Sequence, residues 1–463
     1  MKLQCIHCGS TYPPKPILFK CKKCNGILEY TELDKKWNTQ PKTTGFWKYK
    51  NMLPPTQNTI SLGEGATPTH KAQRLAESIK IKNLYLKDET RNPTHSYRDR
   101  AAALLTSQAL DLQADATICA TNGNMGASLA AYSAKAGIIC HAIVPKLVDV
   151  GKLAQMIAYD AVIEEHGNIV DDAINHAQSL AKETGWYQAT AELNPMVVEA
   201  QKTISYEIHE HNKTPEFVIV SMGSGGTIYS LWKGFKELKE IGLTDSLPKM
   251  IGVQPEGCSY IVDAIETPSN TEKTCSPYTR ALAVLVGNPL QNEMAEKAIN
   301  ESNGLALKVS DSEILKAEME IAKLEGVFAE PASSATIAAA QKLLEMGVIS
   351  NSESVVCLIT GSGLKATDVL QVLTKKQKTA VLGLDISTKE KILKILCKKD
   401  SYGYDIWKIL GKTITRAAVY QHLNELSEKG LVVSYEKDGK KFFRIAERGQ
   451  KALQAMEELK VLF

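Results

Sequence analysis

The sequence predicts an α/β protein with mostly parallel strands, a small cysteine-built module at one end and a basic helical module at the other. Three observations carry this. Between about Trp37 and Leu373, short β-branched runs alternate with Ala-rich helical stretches, the pattern of strands joined by crossover helices. Near the start, four Cys stand as two C-x-x-C pairs. At the far end, residues 388–463 hold 16 Lys and Arg against 10 Asp and Glu, a net +6 hidden inside a whole-chain charge of only +3.

Composition narrows the class first. With 44% hydrophobic and 23% charged residues, 30 Gly and 17 Pro in 463 positions, the chain is neither disordered nor collagen-like. No apolar run approaches the roughly 18 residues that span a bilayer, and Met1-Lys2-Leu3-Gln4-Cys5 opens no secretory signal. A cytoplasmic protein without a membrane partner is expected. Its 10 Cys should then serve as metal ligands or core thiols and not as disulfides.

Residues 1–30 come first. Cys5-x-x-Cys8 and Cys21-x-x-Cys24 flank a 12-residue loop, and four thiolates in two knuckles suit a tetrahedral structural zinc. A fragment of this size has no adequate core without the metal, so a zinc ribbon is expected. Cys119, Cys140, Cys258, Cys275, Cys357 and Cys397 have no ligand spacing and read as core thiols.

The body, 37–373, carries strands at Ala116–Cys119, Ile138–Val144, Phe217–Ser221, Met250–Gln254 and Val355–Thr360. Three polar, Gly-containing loops follow such strands: Ala120–Gly126, Met222–Thr227 and Thr360–Lys365. The second leads into a helix, and a strand, glycine turn and helix N-terminus together offer converging N–H groups to a phosphate. Three loops at strand C-termini of one α/β domain fit a single ligand crevice.

The body resembles the threonine synthase family of pyridoxal-phosphate enzymes. The likeness covers about Gln4 to Leu373 and rests on an ordered set of pieces. These are Leu62-Gly63-Glu64-Gly65-Ala66-Thr67-Pro68, Leu86-Lys87-Asp88-Glu89, Asn92-Pro93-Thr94, Asn122-Gly123-Asn124, Gly223-Ser224-Gly225-Gly226, Gly252-Val253-Gln254, Glu330-Pro331-Ala332-Ser333 and Thr360-Gly361-Ser362-Gly363-Leu364-Lys365. The resemblance implies the two-lobed, three-layer pyridoxal-phosphate fold type II. By it, Asn124 contacts the cofactor's ring hydroxyl, Gly223, Ser224, Gly225, Gly226 and Thr227 cradle its phosphate, and Thr360 faces the pyridine nitrogen. Thr67, Lys87 and Arg98 are the further ligand-binding candidates.

One departure governs the functional expectation. Where the family carries N-P-T-G-S-F-K-D-R, this chain reads Asn92-Pro93-Thr94-His95-Ser96-Tyr97-Arg98-Asp99-Arg100. Arg98 replaces the Schiff-base lysine, and a guanidinium offers no free amine to an aldehyde. Loss of a positioned acid–base group alone costs roughly 10²–10⁴ in rate. Lys87 is an alternative amine by proximity, although the family has a lysine there as well. Arg98 is instead a good bidentate partner for a carboxylate or phosphate. His95, in place of glycine, reads either as a ligand contact or as a surface loop residue.

The polar, charged stretch 374–387 reads as a linker. Beyond it, 388–463 gives an amphipathic helix over Lys389–Lys398, a break at Ser401–Asp405 and a short helix containing Ile406, Trp407, Ile409 and Leu410. A third helix runs from Arg416 to Lys429 with its cap at Thr413–Thr415, followed by a hairpin turning at Asp438-Gly439. This order is that of a winged helix, and the segment resembles PadR-like transcriptional regulators. The resemblance implies DNA contacts from Arg416, Tyr420 and Gln421 on the third helix and from Lys437, Lys440, Lys441 and Arg444 on the hairpin. A last helix, Gln450–Leu462, has an apolar face that suits a homodimer or packing on its own domain.

Three functions follow as expectations. The first is a transcriptional regulator that senses pyridoxal phosphate or an amino-acid-related ligand. The second is an active threonine synthase, converting O-phosphohomoserine to threonine and phosphate, with an accessory winged helix. The third is a regulatory subunit of an active paralogue.

Overall fold

The computed structural model describes residues 1–15, 17–32, 37, 44–267, 277–366, 386–411, 414–437 and 440–453. The chain divides into two compact units, Met1–Asp368 and Val369–Phe463. The proposed linker therefore lies almost wholly outside the described residues, as do Cys275, the hairpin turn at 438–439 and the last helix beyond Leu453.

The larger unit is built on two sheets. The first has six strands in the order Leu305–Val309, Lys249–Pro255, Phe217–Ser221, Ser354–Ile359, Asn83–Asp88 and Thr69–Lys71. All neighbours are parallel except the edge pair, where Thr69 faces Lys87 in antiparallel register. Side chains alternate between faces along a strand, and both faces here are core. Phe217, Ile219, Val355 and Cys357 pack into one apolar cluster with the helix Pro331–Glu345. Val218, Val220, Val356 and Leu358 enter another with the helix Gly226–Glu240. That explains why these strands read as continuous β-branched runs and show no polar alternation.

The second sheet has four parallel strands, in the order Val162–Glu165, Ile139–Val144, Ala116–Ala120 and Tyr187–Gln188. Its faces are covered by the helices Arg98–Asp111 and Asn124–Ala136 on one side and Val170–Thr184 on the other. Two sheets, each sandwiched by helices, give the two-lobed, three-layer body. The expected strands are all present, with ends shifted by one residue at most. Asn83–Asp88, Leu305–Val309 and the short Thr69–Lys71, Val162–Glu165 and Tyr187–Gln188 are additional.

The N-terminal residues form a three-stranded antiparallel sheet, in the order Thr11–Tyr12, Lys2–Cys5 and Leu28–Thr31. It is joined to the body through Glu29, whose Oε2 accepts from Tyr229 Oη (2.7 Å) and Lys233 Nζ (3.3 Å). Both donors lie on the helix Gly226–Glu240.

The smaller unit contains helices Ile386–Lys398, Gly403–Ile409 and Arg416–Glu428, then strands Val432–Lys437 and Lys440–Ile445. Ser401–Tyr402 is not a plain break. It is a third strand, pairing with Phe443 and Phe442. Thr415 caps the third helix by accepting from Ala418 N (3.2 Å), and Val419, Leu423 and Leu426 form its buried stripe. This is a winged helix. Among the described residues no helix is long and apolar enough to cross a membrane.

Candidate functional site

A single cavity in the larger unit gathers residues from all three expected loops. Its wall includes Tyr97, Arg98, Asn122, Asn124, Glu192, Gly223–Thr227, Gln291 and Thr360. The strand Phe217–Ser221 delivers the Gly loop to the N-terminus of the helix Gly226–Glu240, whose first N–H groups have no partner in a preceding turn. Gly225 has φ +100°, and a Cβ there would lie 2.7 Å from Gln291 O. A Cβ on Gly226 would run into the Gln291 side-chain amide. Glycine is thus required at 225, where the backbone lies in the left-handed region and the neighbour is backbone, whereas at 226 a Cβ would displace only the Gln291 amide. Ser224 Oγ is buried without a hydrogen-bond partner, and Thr227 Oγ1 shares a bond with Tyr97 Oη (3.0 Å).

In the second loop Thr121 Oγ1 accepts from Gly123 N (2.8 Å) and Gly126 N (3.1 Å), which fixes the turn into the helix Asn124–Ala136. Asn124 Nδ2 donates to both Glu330 carboxylate oxygens at 3.0 Å, leaving its buried Oδ1 without a partner. Thr360 Oγ1 lies 2.8 Å from Ser333 Oγ. The segment 92–98 is strapped to this third loop, with Tyr97 N donating to Thr360 O (3.0 Å) and Ser362 N to His95 O (3.1 Å).

Arg98 opens the helix Arg98–Asp111 and faces the cavity, its guanidinium 4.8 Å from the Tyr97 ring centroid. Asp99 secures the turn before it, accepting from Thr94 N (2.7 Å) and Thr94 Oγ1 (2.6 Å). His95 points elsewhere. It is exposed, at φ +62°, with Nδ1 3.0 Å from Thr90 O, so the surface reading fits it.

Two candidates do not reach the cavity. Lys87 is fully buried, donating to Thr67 O and Glu207 Oε2, each at 2.6 Å. Thr67 Oγ1 donates to Glu89 Oε1 (2.5 Å), and Arg100 completes the cluster with Glu89 (2.8 Å) and Glu207 (2.7 Å). The two guanidinium and ammonium charges hold Glu207 well below the usual carboxylate range despite its burial. A buried charge must be paired, and this pairing is what Lys87 and Thr67 do.

Three groups at or near the site have no role assigned by the sequence, two of them outside any motif and Lys365 inside the Thr360–Lys365 loop. Glu192 lines the cavity wall; withdrawal from water pushes its carboxyl pKa up, with the Arg98 charge opposing. Gln291 abuts the cradle glycines. Lys365, at the end of the third loop, is buried, with Nζ donating to Thr94 O (2.8 Å). Burial lowers its pKa to about 8, while Glu330 and Asp99 act the other way.

The four N-terminal thiols converge. Sγ of Cys5 and Cys24 are 3.5 Å apart, and those of Cys8 and Cys21 are 3.6 Å apart. Zn–S bonds of about 2.3 Å in a tetrahedron put sulfurs roughly 3.8 Å apart, so the cluster is compatible with zinc. Of the remaining thiols, Cys119, Cys140, Cys258 and Cys357 are buried as expected, whereas Cys397 is exposed.

In the smaller unit Arg416, Tyr420, Gln421, Lys437, Lys440, Lys441 and Arg444 are all exposed. Several also pack locally. Arg416 stacks on Trp407 (4.9 Å), Arg444 on Tyr435 (5.5 Å) and Lys440 on Tyr402 (5.1 Å), and Tyr420 lies against Gly403.

Comparison with known proteins gives two family matches, "Pyridoxal-phosphate dependent enzyme" over 60–361 and "Transcriptional regulator PadR-like family" over 392–455. The chain is 41% identical over 374 residues to a threonine synthase of Methanosarcina acetivorans, covering 78% of this chain and 92% of that one. It is 39% identical over 413 residues to a threonine synthase of Methanocaldococcus jannaschii, covering 86% and 100%. Among solved structures, maize serine racemase matches with TM-score 0.58 at 18% identity, over 68% of this chain and 93% of that one.

Proposed function

Because the chain belongs to the pyridoxal-phosphate-dependent enzymes, in the threonine synthase family, we propose that it is a ligand-sensing transcriptional regulator. In this reading the body binds pyridoxal phosphate or an amino-acid derivative without a covalent bond, and the PadR-like unit binds DNA. The observation that carries it is Arg98 in the cavity wall, at the end of the segment strapped to Thr360.

The cofactor, when bound, supplies an electron sink for chemistry at an amino acid's α-carbon. The residues present suit its noncovalent parts. The helix N-terminus at Gly226 and the unpartnered Ser224 hydroxyl meet a phosphate's need for donors, and Asn124 Oδ1 lacks the donor that a ring hydroxyl would provide. They do not suit covalent attachment through position 98, since a guanidinium stays protonated and cannot move a proton at working pH. Arg98 is left to bind and orient an anionic group, and Tyr97 to close the wall beside Thr227. A zinc at Cys5, Cys8, Cys21 and Cys24 would be structural, and the exposed basic hairpin suits phosphate contacts on a duplex.

A second reading, a working threonine synthase, is favoured by Lys365. It is a buried amine beside Thr94, outside any ion pair within 4.0 Å among the described residues, with its pKa lowered to about 8. Incubating the full chain with pyridoxal phosphate and O-phosphohomoserine separates the two. The sensor reading expects no phosphate release, and salt-dependent binding to DNA from its own promoter region that shifts when ligand is added. Sustained phosphate release would establish the second reading. No DNA binding at low salt would overturn the first.

A further inference from the structure

Glu192 is out of place in a cradle for an anion. It lines the same cavity as Arg98 and the Gly223–Thr227 loop, and its carboxyl neighbours Ser224, one of the loop's own donors. An ionised carboxylate there repels a phosphate placed on that loop. Its other acidic neighbour, Asp171, is occupied, accepting from Gly287 N (3.1 Å) and Asn288 N (2.7 Å). Around Glu192 the supporting donors are its own backbone N–H and the nearby Ser224 hydroxyl, with no counter-charge in contact. Neither it nor Arg98 forms an ion pair within 4.0 Å among the described residues, though the Arg98 charge acts on it. The cavity thus presents one cation and one anion that do not neutralise each other by contact, and its polar wall adds the unpartnered Ser224 Oγ and Asn124 Oδ1. Separated opposite charges in a water-poor cavity are stabilised by a ligand carrying the complementary pair.

We propose that the cavity binds a free α-amino acid as its zwitterion, with Glu192 holding the ammonium, Arg98 the carboxylate, and Asn124 and Ser224 facing a short side chain. This rests on the sensor reading and specifies its ligand. No aldehyde is required, because the ligand's amine stays protonated and is recognised as a cation. Glu192 becomes the residue that sets specificity: it selects for an ammonium and against a bare phosphate at the same loop.

The test uses the full-length chain and titration calorimetry with a panel of the proteinogenic amino acids, then the best binder's N-acetyl and carboxamide derivatives. Inorganic phosphate and pyridoxal phosphate are titrated alongside. A site built around a buried polar partner rejects the analogue that lacks it. Each derivative, having lost one charge, should therefore bind at least about tenfold more weakly than the parent. Glu192→Gln should lower amino-acid affinity about tenfold or more while raising that for inorganic phosphate, and Glu192→Asp should recover part of the loss. A merely structural Glu192 would lower both affinities together. An N-acetyl derivative that binds as well as its parent overturns the proposal. So does a panel in which no amino acid binds while pyridoxal phosphate or phosphate does, an outcome that leaves the sensor reading standing. If no compound binds, both fall.

Discussion

Replacing Lys365 by Met should make the protein more stable at neutral pH and erode that advantage as the pH rises. Lys365 is buried, and its pKa falls from 10.5 to about 8 because burial penalises the ammonium more than Glu330 and Asp99 support it. The folded state therefore binds fewer protons than the unfolded chain between those two values. Stability is reduced below about pH 8 and recovers as the pH rises toward 10.5. At about 1.4 kcal/mol per pKa unit, the amine costs roughly 3 kcal/mol at pH 7 and about half that at pH 9.5. Methionine has similar length and no charge, but it leaves Thr94 O without the 2.8 Å bond from Nζ, a loss of about 1 kcal/mol. The net expectation is a gain of about 2 kcal/mol at pH 7, shrinking to a few tenths at pH 9.5. Urea unfolding of the full chain at the two pH values measures it. A variant less stable than the parent at pH 7, or a gain that does not change with pH, would refute the reasoning. The same variant should weaken ligand binding, since Thr94 lies in the segment that carries Arg98.

Glu318 offers a second titration. Its carboxyl is pushed up to about 7 by burial and by Glu330, and one oxygen lacks a partner. Folding then favours the protonated form, and the stability this confers is full below the ordinary value of 4.5 and lost as the pH rises through 7. Glu318→Gln should stabilise the protein above pH 7 by about 1–2 kcal/mol, discounted for partial solvation, and by almost nothing at pH 4.5; thermal melts at both pH values decide. Gly225→Ala should abolish binding at the cradle in calorimetry while the smaller unit's DNA affinity is unchanged, because its φ of +100° is strained for alanine and a Cβ there meets the Gln291 backbone oxygen at 2.7 Å. Removing two exposed hairpin charges, Lys437→Ala with Lys440→Ala, should lower the slope of log affinity against log salt by about 2 in fluorescence anisotropy with duplex DNA.

The body's elements were largely legible because buried parallel strands leave continuous apolar runs, and Phe217–Ser221 was read to the residue. Leu305–Val309 and Val162–Glu165 were not, being edge strands whose polar positions dilute the run. In the site, the Gly loops and the Asn122–Asn124 turn announced themselves through residue types that only such turns need. Glu192 could not, because a carboxylate's direction into a cavity has no local signature. Lys87 misled for the same reason. Its proximity to Arg98 in sequence gave no sign that Glu207, 120 residues away, neutralises it. Ser401–Tyr402 read as a break because two residues are too few to show a period, and only pairing with Phe442 and Phe443 makes them a strand.

The ribbon's Glu29 has a further consequence for where one part of the molecule ends. Composition changes sharply after about residue 30, which invites cutting the chain there. Yet the carboxylate from that side is the acceptor for Tyr229 and a counter-charge for Lys233, on the helix whose first turn forms the cradle. Truncation would strand a buried hydroxyl and strip Lys233 of both Glu29 and the Tyr30 carbonyl, leaving Glu199, at 2.7 Å, as its contacting carboxylate among the described residues. A boundary in residue chemistry is thus no boundary in cooperativity, and a shortened protein lacking its first thirty residues would be a damaged body and not a body without its accessory.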